Sequence, residues 1–184
     1  MSTIITSIDP DSPAMRAGLR AGQQLLTING HAVVDVLDYR FYGYDPVSHL
    51  TLKNEDGSTQ KLTVRKAEGE DLGLNFDTYL MDEMRSCANH CIFCFVDQMP
   101  PGMRQTLYFK DDDARLSFLQ GNYITLTNLT EREAQRIIDL RISPINVSVH
   151  TTDPQLHCTM LGNKNAAKSL DYIRAFCKAG IVMN

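Results

Sequence analysis

Three thiols stand close together in this chain, in the run Cys87-Ala88-Asn89-His90-Cys91-Ile92-Phe93-Cys94. The spacing is C-x3-C-x2-C, with an aromatic residue directly before the third cysteine. Thiolates this near in sequence share one centre or lie idle. A loop this short can wrap one cuboidal iron–sulfur cluster and ligate three of its irons, leaving the fourth open to a small molecule. Thiolate suits such clusters, and hydrogen bonds and exposure tune their potential. Zinc is the rival ion. With His90 as a fourth ligand, three Cys and one His suit a tetrahedral site. Against it, adjacent His90 and Cys91 point poorly at one metal, and no second C-x2-C pair exists. A simple ferredoxin-type carrier lacks its fourth nearby cysteine.

The remaining cysteines, Cys158 and Cys177, each sit in a helical pattern and read as buried and inert. Five cysteines, an odd and clustered set, make a poor disulfide framework and point to a reducing compartment. With 184 residues the chain allows one domain or two small ones. It is 43% hydrophobic and 22% charged, too apolar for a disordered tail. A net charge of −4 argues against a bulk binder of nucleic acid or membrane. No apolar run approaches the roughly 18–20 residues of a membrane span. Met1-Ser2-Thr3-Ile4-Ile5 lacks the pattern of a signal peptide, so a cytoplasmic protein is expected.

The elements that must position the thiols fall into two regimes. Residues 1–70 read as a small β-rich domain and residues 71–184 as an α/β one. In the first, Thr3 to Ile8 is a β-branched run broken by Asp9-Pro10-Asp11. Ser12-Pro13 opens a short helix, with Ser12 as cap, Pro13 in the first turn and Gly18 as exit. Gln24 to Asn29 is a strand turned by Asn29-Gly30. Val33 to Tyr42 reads as helix. Leu50–Lys53 and Lys61–Arg65 flank Glu55-Asp56-Gly57-Ser58 as a hairpin. Ser12-Pro13-Ala14, Ala17-Gly18-Leu19, Gly22 and Leu25-Leu26-Thr27-Ile28-Asn29-Gly30 together resemble a bacterial PDZ domain over about residues 3–66. That resemblance implies a protein partner, held as an added strand beside a helix. The carboxylate-binding strand of such a domain usually precedes this part. Here Leu72-Gly73-Leu74-Asn75-Phe76 could supply it from the other end, or simply begin the next domain.

In the second regime, Tyr123–Thr127 reads as a strand. Thr130-Glu131-Arg132-Glu133 is a capping box before Ala134, Ile137 and Ile138 at helical spacing. Ser143-Pro144 stops that helix. Ile145, Val147 and Val149 alternate as a strand would. Asp153-Pro154 caps a short helix, and Asn165–Lys178 is a longer one carrying Leu170, Ile173 and Phe176 on one stripe. Ile181–Met183 begins another strand. Strand, helix, strand, helix, strand is the pattern of a parallel sheet.

The cysteine motif followed by this pattern resembles the radical S-adenosylmethionine (radical SAM) superfamily. Phe93–Pro100, Gly102-Met103-Arg104, Leu107–Asp113, Arg115–Phe118, Gly121–Asn128 and Pro144–Thr152 resemble one branch of it. That branch joins a PDZ-like domain to a radical-SAM-like core and a further C-terminal domain, and is described as an iron–sulfur oxidoreductase. The resemblance implies a fold with the first βα units of a parallel, partial TIM-type barrel. It implies a 4Fe–4S cluster on Cys87, Cys91 and Cys94, and S-adenosylmethionine (SAM) on the open iron. Reductive cleavage to a 5′-deoxyadenosyl radical then acts on an unknown substrate, with a reductant such as a flavodoxin or ferredoxin. The Gly-Gly-Glu-Pro-like element of many members is replaced by Thr125-Leu126-Thr127-Asn128. Thr127, Asn128, Ser148 and His150 are the expected SAM-side residues, and Phe93 packs the cluster loop. The chain is expected to be the N-terminal portion of a longer protein. A PDZ-type adaptor with a structural iron–sulfur or zinc site is the alternative. Asp111-Asp112-Asp113 reads as a cation or substrate contact or as a solvated acidic loop. Arg104 and Lys110 read as its counter-charges or as carboxylate contacts, and His31, His49 and His157 as surface or loop residues.

Overall fold

A computed structural model describes residues 3–184. They form two compact units divided between Glu83 and Met84. The first unit holds all the extended strands: β1 (Ile5–Ile8), β2 (Gln24–Ile28), β3 (His31–Ala32), β4 (Val47–Lys53), β5 (Thr59–Arg65) and β6 (Leu74–Phe76). Two short helices, α1 (Pro13–Arg16) and α2 (Val36–Tyr42), interrupt them. The four-stranded sheet runs β3-β2-β4-β5 and the two-stranded one β1-β6, antiparallel throughout. The local signals read from the sequence act where expected. The Ser12 side chain accepts the Met15 N–H, and Pro13 opens α1. Asn29 and Gly30, both at positive φ, turn β2 into β3. Alternate residues of β4, Ser48, Leu50 and Leu52, point inward and close the core with Leu25, Ile28 and Val64.

The unit boundary falls beyond residue 70 because Leu72–Phe76 turns back into the first unit. β6 pairs with β1 (Ile5 opposite Phe76, Ile8 opposite Leu74). Ala14 N–H donates to Leu72 O (3.0 Å) and Asp9 N–H to Gly73 O (2.9 Å). Gly73 is at φ +80, and a Cβ there would lie 2.3 Å from Ser12 Cβ. Only glycine permits that approach. The donors of this strand are already used within the chain. Gly73 N–H donates to Asp71 Oδ1 (2.7 Å), Tyr39 Oη donates to the same oxygen (2.8 Å), and Leu74 N–H donates to Tyr39 Oη (3.3 Å).

The second unit holds α3 (Ala114–Gln120), α4 (Glu131–Asp139), α5 (Pro154–Leu161) and α6 (Lys168–Lys178), and α3, α4 and α6 pack on a core that includes Ile124, Leu126, Ile137, Ile145, Phe176 and Ile181. The Thr130–Glu133 capping box starts α4, and Asp153 caps α5. The parallel barrel strands expected over Tyr123–Thr127, Ile145–Val149 and Ile181–Met183 do not form extended ladders. They meet as two isolated parallel bridges, Ile124 to Val147 and Ile145 to Met183. The middle piece donates Ile145 N–H to Val182 O (2.9 Å), and Ser148 N–H donates to Ile124 O (2.8 Å). The physical reason lies in the chain after Ile124. Thr125 N–H goes to Asp112 Oδ1 (2.6 Å) instead of a neighbouring strand, and Leu126 turns to φ +60. An extended run cannot continue through a left-handed residue. Among the described residues, no helix is long and apolar enough to cross a membrane.

Candidate metal centre

The cysteine loop is held by backbone contacts from both sides. Cys87 N–H donates to Lys110 O (2.6 Å). His90 N–H donates to Leu161 O (2.9 Å) and Ile92 N–H to Met160 O (3.0 Å), two carbonyls in the last turn of α5. Those carbonyls lack helical partners, so a loop laid across them satisfies both elements. Gly162 makes room: at φ +57, its missing Cβ would fall 2.3 Å from His90 O. Cys94 N–H closes a turn onto Cys91 O (3.1 Å). Asn89 N–H faces Cys87 Sγ at 3.5 Å.

Beneath the loop runs a polar network that the sequence pattern did not reveal. Asn89 is buried between two of the thiols. Its Oδ1 accepts from Thr127 Oγ1 (3.0 Å) and Asn163 Nδ2 (2.8 Å), and its Nδ2 donates to Thr125 Oγ1 (3.0 Å). Thr125 Oγ1 also lies 2.9 Å from Thr127 Oγ1 and 2.6 Å from Asp112 Oδ2. These are three oxygen–oxygen contacts in a row, Asp112 to Thr125, Thr125 to Thr127 and Thr127 to Asn89. Two hydroxyls supply two hydrogens. Both are spent, Thr125 Oγ1 donating to Asp112 Oδ2 and Thr127 Oγ1 to Asn89 Oδ1. Burial pushes the Asp112 pKa up to about 6, against hydrogen bonds from Thr125 that lower it.

The sign of the resulting pH dependence follows from linkage. Folded Asp112 holds its proton more tightly than the unfolded chain does. Its contribution is therefore fully favourable below the ordinary carboxylate value and is lost as pH rises to about 6. Asp112→Asn removes the buried charge and keeps the side-chain shape. In the metal-free chain it is expected to be neutral near pH 4 and stabilising above pH 6, by at most about 3 kcal/mol. Urea unfolding of both proteins across this range checks it. A stability difference that does not change with pH rejects the raised pKa.

The acidic triplet is not a solvated loop. Asp112 and Asp113 are both buried, and each has a local task. Asp113 caps α3 through Arg115 N–H and holds the Arg115 guanidinium at 2.9 and 2.7 Å. Asp111 accepts from Asn122 Nδ2 (2.6 Å). Lys110 turns away from the triplet. Its Nζ donates to Asn89 O (3.2 Å) and Asp97 Oδ2 (2.9 Å), beneath the thiols. The Asp97 hydrogen bond raises the Lys110 pKa, so this cation stays charged. Burial raises the Cys87 thiol pKa, and burial followed by the neighbouring Cys87 and Cys94 raises that of Cys91. Such thiols remain protonated until a cation takes the place of their protons. That donor set, three free thiols on a hydrogen-bonded loop beside one lysine, fits a cationic iron–sulfur centre. Among the described residues, no three His, Cys, Asp or Glu side chains are gathered to hold a metal ion.

The other expected site residues fall as follows. Thr127 faces Asn89, under the loop. Asn128 Nδ2 donates to Ser86 O (3.3 Å) and Asp112 O (3.1 Å), tying the entry of the loop to the triplet. His150 lies against Phe93, ring centroids 4.6 Å apart, and burial lowers its pKa. Ser148 stays on the bridged segment beside Ile124. Arg104 only precedes a 3-10 turn. His157, expected at the surface, is buried within α5 with Nε2 3.1 Å from Ser169 Oγ. His31 and His49 are exposed; His31 stacks on Tyr42. Of the spare cysteines, Cys158 is half-buried and Cys177 is exposed, so neither is a core residue. Asn89 and Asn163 were missed, and Asp112 and Thr125 were named only within longer runs. Asn89 could have been noticed as a polar residue inside a metal-binding run. Asn163 had no local signal.

Comparison with protein families supplies the context for this geometry. Residues 66–184, most of the chain, match the model of a radical SAM-like domain. The chain belongs to the radical SAM-like domain family. The match covers the whole radical SAM-like unit and β6 ahead of it. Residues 4–53 match a PDZ domain, so a PDZ domain precedes the radical SAM-like domain in the order the sequence suggested. A search of curated proteins found no match.

Proposed function

We propose that the chain holds a 4Fe–4S cluster on Cys87, Cys91 and Cys94 and works as a radical SAM iron–sulfur oxidoreductase. The observation that carries this reading is the loop itself: three free thiols in C-x3-C-x2-C spacing, pinned across the end of α5 in a radical SAM-like domain. A cluster spreads its thiolates over separate irons and asks less convergence of them than one tetrahedral zinc. When bound, the cluster together with SAM supplies reductive cleavage of the sulfonium and a 5′-deoxyadenosyl radical that abstracts hydrogen from substrate.

The residues of the chain do the rest. Lys110 sets a fixed positive charge below Cys87 and Cys94, offsetting thiolate charge. Asn128 has both amide hydrogens engaged, which leaves its carboxamide oxygen as an acceptor for the SAM ammonium group. Thr127, Ser148 and His150 line the same SAM side, and Phe93 packs on His150 to shield the loop flank. On this reading the segments bridged through Ile124, Ile145 and Met183 correspond to the first βα units of a parallel barrel, a reading the two parallel bridges support, with ligands at the C-terminal ends of those segments. A flavodoxin or ferredoxin delivers the electron, the PDZ domain contacts a protein partner, and the setting is the cytoplasm, where free thiols persist.

Electron paramagnetic resonance of anaerobically reconstituted, dithionite-reduced protein, with and without SAM, tests this. The expected result is a 4Fe–4S signal that shifts when SAM is added. A cluster signal indifferent to SAM removes the SAM part of the proposal. Folded protein that takes up zinc and refuses iron removes the whole of it.

A further inference from the structure

Asn89 uses every polar group it has. Its carbonyl oxygen accepts from Lys110, its carboxamide oxygen from Thr127 and Asn163, its amide nitrogen donates to Thr125, and its backbone N–H faces Cys87 Sγ. It is 1% exposed, in a loop whose thiols are only half-buried. A buried carboxamide hydrogen-bonded through both its oxygen and its nitrogen holds one orientation of its peptide unit. That unit also carries an N–H aimed at Cys87 Sγ.

We propose that Asn89 is the positioning residue of the cysteine loop. Its side chain, clamped to Thr127 and Asn163, aims its own backbone N–H at Cys87 and holds the spacing between Cys87 and Cys91. What the loop then holds rests on the cluster reading above; the positioning itself does not. A hydrogen bond to sulfur stabilises the more negative, reduced form of a cluster and so raises its potential. Thr127 thereby acts through Asn89 as well as from the SAM side. The Thr127 hydroxyl is the piece that can be removed with least change of shape.

The test has two arms. In the metal-free chain, hydrogen exchange is followed at His90 and Ile92, whose N–H groups bond to α5, with α6 amides as the folding control. Thr127→Val, equal in shape, is expected to speed loop exchange on the order of tenfold, as loss of a buried hydrogen bond would. Asn89→Ala is expected to speed it further, and Thr127→Ser to restore it. In the reconstituted chain, the Asn89→Ala cluster is expected to show changed g-values and a more negative midpoint potential. Wild-type exchange rates in folded Thr127→Val overturn the proposal, as does a wild-type potential in Asn89→Ala. Should Asn89→Ala not fold, Thr127→Val decides by itself. A wild-type chain that takes up no iron overturns the cluster reading, and the exchange arm still decides the role of Asn89.

Discussion

Exchange of any one of Cys87, Cys91 or Cys94 for Ala is expected to abolish iron and sulfide uptake in anaerobic reconstitution. Three ligands on one loop act as a unit, and two thiolates leave a second iron open. Loss of even an outer partner of a metal ligand costs roughly 10–100-fold in affinity, so loss of a ligand exceeds that. Cys158→Ala and Cys177→Ala are the controls and should retain the wild-type load, since Cys158 bonds only to Lys164 O (3.4 Å) and Cys177 is exposed. The uptake also has a sign in pH. Burial keeps the Cys87 and Cys91 thiols protonated beyond their ordinary range. Binding must expel those protons, so uptake rises with pH. Iron and sulfide assays with ultraviolet–visible spectra across the five single variants check both statements. Equal uptake in Cys91→Ala and wild type would remove this loop as the centre.

The second large effect lies in the charged pair that starts α3. Arg115 and Asp113 are both nearly inaccessible, with side-chain exposures of 6% and 2%. The guanidinium meets the carboxylate through two hydrogen bonds, and the amides of Arg85 and Arg115 complete the carboxylate. Burial alone raises the Asp113 pKa. The hydrogen bonds and charge of Arg115 outweigh it and hold the carboxyl below its usual range. Arg115→Met keeps most of the side-chain volume but leaves that buried carboxylate without its cation. Breaking such a pair from one side costs about 3–5 kcal/mol. In wild type the pair's contribution is fully present above the ordinary carboxylate pKa and is lost as pH falls through the lowered folded value. The deficit of Arg115→Met is therefore largest near neutral pH and shrinks in acid. Urea unfolding followed by circular dichroism measures it. Asp113→Asn combined with Arg115→Met should recover part of the loss, because no unpaired carboxylate then remains buried. A single variant within 1 kcal/mol of wild type, roughly the worth of a surface pair, would show that the pair is not as buried as its exposure states.

The same region shows where reading a sequence stops. The thiol spacing, the Ser12 and Thr130 caps, the Asn29-Gly30 turn and the β4–β5 hairpin were legible directly. Each is completed by groups a few residues apart, so its partners are visible in one window of sequence. The helical stripes of α4 and α6 were legible because burial imposes a 3.6-residue period. The family resemblance was legible from the cysteine motif and the PDZ-like segments, and the family match agrees with it.

What only the tertiary structure decided is everything whose partner lies far along the chain. Asn89 meets Thr127 and Asn163 across 38 and 74 positions, and nothing in the local pattern couples them. Asp112 read as part of a cation or substrate contact or of a solvated acidic loop, yet it bonds to Thr125 and its burial raises its pKa to about 6. The expected strands shrink to single bridges because side chains far away claim their backbone donors. Local hydrogen bonds and periodic burial are written in neighbouring residues. The polar network that aims the cysteine loop exists only once folding has brought its distant members into one dry space.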